Sequence, residues 1–569
     1  MNRLYKISFA LFLGGISLQA NAQRYLNEVF TSNQITIQTD VQYGQNISLE
    51  PTVLAAFLGQ QAAPDTLPLL MDVYYPSTSV DTETDRPLVV YATTGNFLPP
   101  GFNGSPCGVR KDSSAVNMAM QFAKRGYVCA IVDYRRGWNP LSTNILVRTG
   151  TILNAAYKGQ QDTKAAVRYF RADRANANNF KIDANRVVLV GEGTGGYVMM
   201  AHAFLDKPWK ISRLPGLGDN KFLASENPDV SMIDTNRIGN FDGTNDIPFN
   251  LIPFVQSGGD FSKITGNIAN NPQYSSDANI VINMGGALGD TSWLDAGQIP
   301  MIGIHAVRDP NAPYFLGNVI VPTTGDVVIP WACGAGYNLP QANAYGNNAS
   351  FANQPYNDAI TAAVESHYGQ AIPFNSQFPG STINVGTGKG LLPFILPENP
   401  VYPYNNGSPW QFWNSTQASA NFPVTVNGNQ ITAHQASAAS NPAMASSNEL
   451  GRSSGLTYID TIQRYINPRI VCALGLAACA EVGMQDIANA VKVSAFPNPA
   501  NTNVTISSNT TSGQIKSVRM FDVTGREVLF TSNLNTAAYQ INRNDLIAGI
   551  YLVQVQTEKG RSSIKVIFE

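Results

Sequence analysis

Between Leu69 and Met200 the sequence alternates strand-like runs with amphipathic, helix-like segments, and this alternation constrains the fold more than any other feature. The strand-like runs are almost wholly apolar, which is typical of strands buried on both faces of a sheet. Alternation of this kind predicts an α/β fold, a mostly parallel sheet with helices on both faces. The predicted strands are 71–75, 87–92, 127–134 and 186–190, and the predicted helices are 114–125 and 161–172.

The last of these strands runs into a glycine-rich turn, residues 191–196 (GEGTGG), and a helix follows from Tyr197. In open α/β sheets, ligands bind outside the carboxyl ends of the strands. The strand–turn–helix step is therefore the part of the pattern that bears most on function.

Two later regions lose this periodicity. Residues from about 209 to 277 and from about 311 to 441 are rich in Pro, Gly, Asn and Asp, and both are too long for ordinary connections. We predict that they are insertions, the first of them over the edge of the sheet where substrates would enter. Strands resume at 279–283 and 301–305, and a last helix, 455–466, ends at Asn467-Pro468 and closes a domain of residues 23–485.

The C-terminal residues 491–569 have a different pattern. Short alternating strands follow one another, separated by turns that contain Gly and Asn. Strands of this length and spacing predict a small all-β sandwich. The predicted strands are 503–507, 515–522, 527–531, 550–556 and 563–568.

The N-terminus has the features of a signal peptide over residues 1–22. Two basic residues precede the apolar run 7–18, and Ala20-Asn21-Ala22 supplies the small residues of a cleavage site, so that the mature chain begins at Gln23. The apolar run is too short to cross about 30 Å of hydrocarbon. No later stretch reaches 18 apolar residues, so no transmembrane segment is predicted in the mature protein.

Charge and cysteine content exclude some functions. The formal net charge is −2, 13% of residues are charged, and like charges do not cluster, which argues against nucleic acid as a partner. No cysteine or histidine spacing indicates a metal, and no cofactor is predicted. Of the five cysteines, Cys472 and Cys479 are expected to form a disulfide in an oxidising compartment, Cys129 to be a buried free thiol, and a pairing of Cys107 with Cys333 stays open.

Several motifs of the C-terminal region resemble the type A sorting domain of the type IX secretion system. They are residues 496–500 (FPNPA), 520–526 (MFDVTGR) and 546–551 (LIAGIY), followed by Gly560 and Lys565 in a closing strand. The resemblance implies that the translocon of this system recognises the domain. It also implies export through the periplasm of a Gram-negative bacterium, removal of the domain, and release from the cell or attachment to surface polysaccharide.

The core resembles the carboxylesterase branch of the α/β-hydrolases. The segments that carry this resemblance are 123–128 (AKRGYV), 133–135 (DYR) and 183–192 (DANRVVLVGE). In that family the next residue is the serine nucleophile of a G-x-S-x-G elbow, on a sharp strand-to-helix turn. In this sequence the nucleophile position is Gly193, which has no side chain and cannot form an acyl-enzyme.

Two other hydroxyls near glycines are alternatives to the missing serine. Thr194 is one residue too late, so its backbone N–H is expected to serve the oxyanion site while its hydroxyl points elsewhere. Ser453 lies in a second formal match, residues 451–455 (GRSSG), but this match follows a loop instead of a strand. It is therefore expected to belong to the start of a helix.

The resemblance also assigns the remaining catalytic roles. Gly95 and Asn96, in the loop after the strand 87–92, can offer backbone N–H groups to an oxyanion. Residues 304–314 resemble the segment that carries the catalytic acid, which makes Asp309 the candidate. The base histidine should follow the acid in the chain, and of His367 and His434 we prefer His434, because it lies nearer the closing helix. The other two histidines, at 202 and 305, are expected to be structural.

Two functions remain open at this point. One is a non-catalytic protein of the hydrolase fold that binds a small-molecule ester or a surface glycan. The other is an active carboxylesterase or related serine-hydrolase-like enzyme that uses an unorthodox nucleophile. The empty position 193 and the altered loop at Gly95 and Asn96 favour the first. A purely structural surface protein is compatible with the Asn- and Gly-rich regions, but no motif indicates it.

Overall fold

The computed structural model describes residues 24–569 with gaps, and the chain divides into two compact units. One unit holds the residues up to 352 and residues 367–476, and the other holds residues 353–366 and 477–569. The signal peptide predicted at 1–22 lies outside the described residues and stays a prediction. Inside the range 24–569 the residues not described are 104, 106, 213–221, 225–226, 258–259, 321–324, 374–381, 397–406, 414–423, 427–428, 432–447, 482–492, 510–512, 523–526, 545 and 559.

An eight-stranded sheet forms the centre of the first unit. Its strands are β1 (Ile35–Ser48), β2 (Asp65–Pro76), β3 (Arg86–Ala92), β4 (Val128–Val132), β5 (Ile182–Glu192), β6 (Ile280–Met284), β7 (Met301–Ala306) and β8 (Leu391–Phe394). Their spatial order is β1-β2-β4-β3-β5-β6-β7-β8. Strand β2 pairs antiparallel with β1 and β4, and every pair from β4 onward is parallel. The mostly parallel sheet predicted from the sequence is confirmed.

Both faces of this sheet are covered at its centre. All residues of β3, β4, β6 and β7 are buried. Successive side chains of a strand point to opposite faces, so complete burial requires cover on both sides. The longer helices of the unit are α1 (Glu50–Phe57), α2 (Ser113–Lys124), α3 (Ile145–Ala175), α4 (Thr194–Phe204), α5 (Ala335–Ala344) and α6 (Asn448–Ala473).

The region 311–441, predicted to be an insertion, contributes to the core itself. Strand β8 pairs with β7 at the edge of the main sheet, and its four residues are buried. Helix α5 lies in the same region, with Leu339 and Ala342 almost fully buried. The prediction was wrong for these parts because a four-residue strand that contains Pro393 is too short to show a period among turn-forming residues.

The closing helix is longer than predicted, because α6 continues through Asn467-Pro468 to Ala473. A proline inside a helix costs about 3 kcal/mol or more. Ile466, Ile470 and Val471 around it are completely buried, and packing of an apolar helix face outweighs local propensity. Asn467 also donates its side-chain amide to the carbonyl of Gln463, which supports the turn before the proline.

The predicted insertion 209–277 consists of short elements packed against α3. Tyr157 donates to the carbonyl of Gly239, and Gln161 to those of Ile238 and Asn240. Its elements are Pro208–Lys210, Leu223–Ala224, Asn227–Ser231, Thr235–Ile238, Ile247–Asn250, Ile252–Gln256, Phe261–Lys263 and Thr265–Asn267. Later short elements are Thr291–Trp293, Leu316–Ile320, Val327–Cys333, Ala349–Ala352, Ala359–Ser366, Ala371–Pro373, Thr382–Asn384, Val424–Val426 and Asn429–Ile431.

The C-terminal part of the chain is all-β. Its strands are β9 (Val493–Phe496), β10 (Asn503–Ser508), β11 (Ile515–Phe521), β12 (Glu527–Thr531), β13 (Ala538–Asn542), β14 (Gly549–Thr557) and β15 (Gly560–Phe568). They form two antiparallel sheets, β9-β10-β13 and β12-β11-β14-β15. Val504, Ile506, Val518, Met520 and Val553 belong to a separate apolar core. None of the helices described in either unit has the length and hydropathy needed to span a bilayer.

Candidate functional site

The candidate site is built on the turn between β5 and α4, residues 191–196, which we call the elbow. Strand β5 ends at Glu192, α4 begins at Thr194, and Gly193 between them adopts φ 54° and ψ −118°. The elbow passes close to the neighbouring backbone: a Cβ on Gly195 would lie 2.2 Å from the carbonyl oxygen of Ala92. Only glycine permits such an approach. The glycines therefore allow a sharp turn that has residue 193 at its tip.

The space beside Gly193 is occupied by Thr94, which belongs to the loop after β3. A Cβ on residue 193 would lie 2.3 Å from Thr94 Oγ1 and 2.9 Å from Thr94 Cβ. Both distances are shorter than van der Waals contact between such atoms. The hydroxyl of Thr94, which the sequence analysis did not single out, therefore lies beside the expected nucleophile position. No sequence pattern pairs residues 94 and 193, since their contact arises only from the pairing of β3 with β5.

The hydroxyl of Thr194, the next residue, is engaged in a hydrogen bond within the protein. It lies 3.1 Å from the hydroxyl of Tyr134, and Tyr134 donates its own proton to the carbonyl of Thr93 at 2.9 Å. Thr194 is thus the donor to Tyr134 in a short series of hydrogen bonds that runs from the elbow to the loop after β3. The backbone N–H of Thr194, at the start of α4, has no acceptor among the described residues.

Gly95 and Asn96 form the other part of the predicted oxyanion site. Both have positive φ, 139° and 53°, which turns the chain sharply after β3. Asn96 is fixed by two contacts, its side-chain amide to the carbonyl of Asn103 at 2.6 Å and its carbonyl to the indole N–H of Trp138 at 2.9 Å. Within the part of the chain that the structure describes, the backbone N–H groups of Gly95 and Asn96 donate to no acceptor. They can therefore serve an oxygen atom of a ligand.

Glu192, the residue before Gly193, is a buried acid that sequence reasoning left without a role. Its carboxylate accepts from Tyr91 at 2.9 Å, from the indole of Trp410 at 2.9 Å and from the amide of Gln411 at 2.6 Å. Burial raises its pKa, and these three donors oppose that rise. Glu192 thereby holds the segment around Trp410 against the elbow. An acidic residue at the end of an apolar strand was the sequence signal for such a contact.

A second buried acid, Asp112, lies near Glu192. Its Oδ2 accepts the backbone N–H groups of Gly108 at 2.6 Å and Val109 at 3.1 Å. Burial raises the pKa of Asp112 to about 8; the negative charge of Glu192 acts in the same direction, while the N–H donors and Arg136 act against it. The loop that includes Gly108 also contacts the loop after β3, since a Cβ on Gly95 would lie 3.4 Å from Gly108 Cα.

Asp309, the predicted catalytic acid, is engaged in its own turn. Its Oδ1 accepts the backbone N–H groups of Asn311 at 2.8 Å and Ala312 at 3.1 Å. Its Oδ2 lies 3.4 Å from Nε2 of the buried His305, and the two side chains are 3% and 0% exposed. In the described part of the chain after β8, Gly407 lies beside this carboxylate, because a Cβ there would lie 2.9 Å from Asp309 Oδ1. The imidazole beside Asp309 is thus that of His305, which precedes it in the chain.

The described histidines do not approach the elbow as a base would. His367 is exposed, and its Nδ1 lies 3.4 Å from the side chain of Gln370. His202 is buried, hydrogen-bonded to Thr163 at 3.0 Å and to the carbonyl of Ser276 at 2.9 Å. Burial lowers the pKa of His202 to about 3, which keeps it neutral as a structural group. His434, the preferred base, lies outside the described residues, so its role stays a prediction.

The remaining predictions concern Ser453, a metal ion and the cysteines. Ser453 is exposed inside α6, where its carbonyl accepts the hydroxyl of Thr457, so the motif 451–455 is helical and not a strand-to-helix turn. Among the described residues, no cluster of three or more His, Cys, Asp or Glu side chains suits a metal ion.

Cys472 and Cys479 are disulfide-bonded. The other three cysteines, Cys107, Cys129 and Cys333, are buried and are not part of a disulfide.

Two protein families match parts of the chain. Residues 71–213 match the family described as BD-FAE, an esterase-like α/β-hydrolase domain. Residues 494–569 match the family described as secretion system C-terminal sorting domain. The first match contains the elbow and the loop after β3, and the second contains nearly all of the C-terminal sheets. No curated protein matches the chain.

Solved structures of an esterase from Thermogutta terrifontis match part of the chain. Esterase 2 phosphorylated by paraoxon has 15% identity and a TM-score of 0.25, covering 50% of this chain and 75% of that chain. Its apo form has 14% identity and a TM-score of 0.24, covering 50% and 76%. The butyrate-bound form has 17% identity and a TM-score of 0.23, covering 44% and 70%. Similarity at this level carries no argument about what the present chain binds.

Proposed function

We propose that this chain, which joins an esterase-like α/β-hydrolase domain to a secretion sorting domain and is secreted or attached to the cell surface, binds a ligand at its elbow without forming an acyl-enzyme. The ligand class that we propose is a small-molecule ester or a surface glycan. The C-terminal domain directs the protein to the secretion system, and the hydrolase domain contains the binding site.

The observation that carries this proposal is the combination of an intact elbow with glycine at its tip. Gly193 lies between β5 and α4 with φ 54° and ψ −118°, where a serine would project its hydroxyl. Covalent catalysis requires a nucleophilic side chain activated by an adjacent base. Glycine supplies neither the oxygen nor a place for the acyl group, so the serine mechanism has no first step here.

The surroundings of Asp309 support the same conclusion. In a triad the acid orients a histidine that in turn contacts the nucleophile. Asp309 instead accepts two backbone N–H groups of its own turn and lies beside His305, which is completely buried. The enclosure of His305 supports a structural role for this imidazole instead of the role of a base.

What the site retains is a set of hydrogen-bond donors. The backbone N–H groups of Thr194, Gly95 and Asn96 lack acceptors in the described part of the chain, and Asn96 is exposed. Preorganised N–H groups bind carbonyl and alkoxide oxygens whether or not a reaction follows. An ester carbonyl or a sugar hydroxyl oxygen therefore suits them.

Labelling of the purified mature protein with a fluorophosphonate probe tests the proposal. Such probes need an activated hydroxyl beside an oxyanion site, so we expect no stoichiometric labelling. Slow background hydrolysis of activated esters is compatible with the proposal, because oxyanion donors and binding alone leave some catalysis over water. Stoichiometric labelling of a single residue would show that the protein is an active hydrolase.

An esterase with an unorthodox nucleophile is the second candidate function. The position of Thr94 favours it, because the hydroxyl of this residue lies beside the vacant serine position. Digestion of a labelled sample distinguishes the possible nucleophiles, which are Thr94, Thr194 and Ser453. A label on Thr94 would support this candidate and contradict the non-catalytic proposal.

A further inference from the structure

We propose that Thr94 takes the place of the side chain missing at residue 193, so that the loop after β3, and not residue 193, presents a hydroxyl at this site. Residue 193 must then be glycine because Thr94 fills the volume that any larger residue would need. The inference deepens the proposed function and rests on it, because no base lies beside this hydroxyl among the described residues, and a hydroxyl without a base serves binding instead of attack.

The distances at the elbow show why the two residues exclude each other. A Cβ on residue 193 would lie 2.3 Å from Oγ1, 2.9 Å from Cβ and 3.7 Å from Cα of Thr94. Rotation about χ1 of Thr94 moves Oγ1 but leaves its Cβ at 2.9 Å, which is still too close for two carbon atoms. Only removal of the whole side chain of Thr94 restores an ordinary contact, at 3.7 Å.

Neither backbone is free to move away. On one side, the carbonyl of Thr93 accepts the hydroxyl of Tyr134 at 2.9 Å, and the carbonyl of Asn96 accepts the indole N–H of Trp138 at 2.9 Å. On the other side, the N–H of Gly193 donates to the carbonyl of Met284 at 2.8 Å. A closely packed interior transmits such strain instead of absorbing it.

The hydroxyl of Thr94 is available to a ligand. Thr94 is partly exposed, and Oγ1 makes no hydrogen bond to any residue that the structure describes. A hydroxyl both donates and accepts, so it complements the N–H groups of Gly95, Asn96 and Thr194, which only donate. Among the described residues it has no imidazole or carboxylate to remove its proton, which distinguishes it from an activated nucleophile.

A double-mutant cycle in the full mature chain tests the inference by thermal unfolding. Gly193→Ala is measured in the wild-type, Thr94→Ala and Thr94→Gly backgrounds, because coupling between two residues appears as a departure from additivity. We expect Gly193→Ala to lower Tm by several degrees in the wild type, by less beside Thr94→Ala, and by least beside Thr94→Gly. If Gly193→Ala does not fold alone, recovery of a folded protein in the Thr94→Gly background supports the inference equally.

Gly59→Ala is the matched control for backbone strain. Gly59 also has positive φ, 66°, but a Cβ there would meet nothing within 4 Å, so its change in Tm should be the same in all three backgrounds. An equal loss of Tm for Gly193→Ala in every background, or failure to fold in every background, would overturn the inference and leave the proposed function intact. A fluorophosphonate label on wild-type Thr94 would do the opposite: it would overturn the proposed function while placing Thr94 at the elbow.

Discussion

The backbone at Gly193 keeps the shape of a nucleophile elbow although the residue offers no nucleophile. A residue with a side chain held at this positive φ and negative ψ is strained by about 1–3 kcal/mol. Glycine removes this strain, and it removes the hydroxyl for which other proteins of the fold tolerate it. Because Thr94 also occupies the adjoining space, restoring serine at 193 has to overcome both strain and a steric overlap.

Gly193→Ser is therefore expected to destabilise the protein without creating an active serine. The free energy of unfolding should fall by at least about 1–3 kcal/mol, the cost of the strained backbone, and the overlap with Thr94 should add to it. Urea unfolding measures the stability, and a fluorophosphonate probe measures the reactivity. If the serine of Gly193→Ser reacts stoichiometrically with the probe while the unfolding midpoint stays at the wild-type value, the interpretation that position 193 is strained and sterically blocked is wrong.

Asp112 gives a second prediction at the scale of one residue, a pH dependence of stability. Burial raises the pKa of Asp112 from 3.8 to about 8 in the folded protein, so between these values the folded state holds a proton that the unfolded chain has lost. The contribution of Asp112 to stability is fully present below about pH 4 and is lost as the pH rises toward 8. We expect Asp112→Asn, which can still accept both N–H bonds, to flatten this fall.

Urea unfolding at about pH 5 and about pH 8 measures the difference. Asp85→Asn is the control for the exchange of aspartate for asparagine, because Asp85 is half exposed on the surface. Burial also raises the pKa of Glu192. The stability of Asp112→Asn should therefore still fall to some extent as the pH rises. A slope for Asp112→Asn as steep as that of the wild type would show that Asp112 is ionised in the folded state.

At the scale of elements, the sequence predicts what periodicity can express. The apolar runs that became β3, β4 and β5 are buried strands, and the glycines of residues 191–196 indicate the turn into α4. Strand β1 has no such signal, because it is an edge strand with many exposed polar residues. The contact between Thr94 and Gly193 could not be predicted either, since it depends on how two parallel strands align and on no local pattern.

The segment after α6 provides a prediction at this scale. Cys472, near the end of α6, and Cys479 are disulfide-bonded, and six residues separate them in the sequence. Closing so small a loop should stabilise the protein by about 2–3 kcal/mol. Mass spectrometry of a digest without reductant should show the two peptides joined, and Cys129 unmodified by any disulfide. Alkylation of Cys472 in the native secreted protein would be incompatible with this bond.

At the scale of the whole molecule, the two matched regions have separate apolar cores. One core contains the central sheet and its helices, including Val90, Leu189 and Val281, and the other contains Val504, Val518 and Val553 of the C-terminal sheets. The described members of each core belong to its own region, and an apolar core of its own is typical of a domain that folds independently. The sorting domain, residues 494–569, is thus expected to be removable without unfolding the hydrolase domain.

Deletion of residues 491–569 is expected to leave a folded hydrolase domain that accumulates in the periplasm. The reason is that the deleted region carries the sorting match, whereas the predicted signal peptide at 1–22 still directs passage across the inner membrane. Cell fractionation locates the protein, and the Tm of the purified truncated chain tests its folding. As a positive control, residues 491–569 joined to a periplasmic passenger with the same signal peptide should carry that passenger to the surface or the medium. Normal surface levels of the truncated chain, together with a passenger that stays in the periplasm, would mean that the export signal lies elsewhere in the chain.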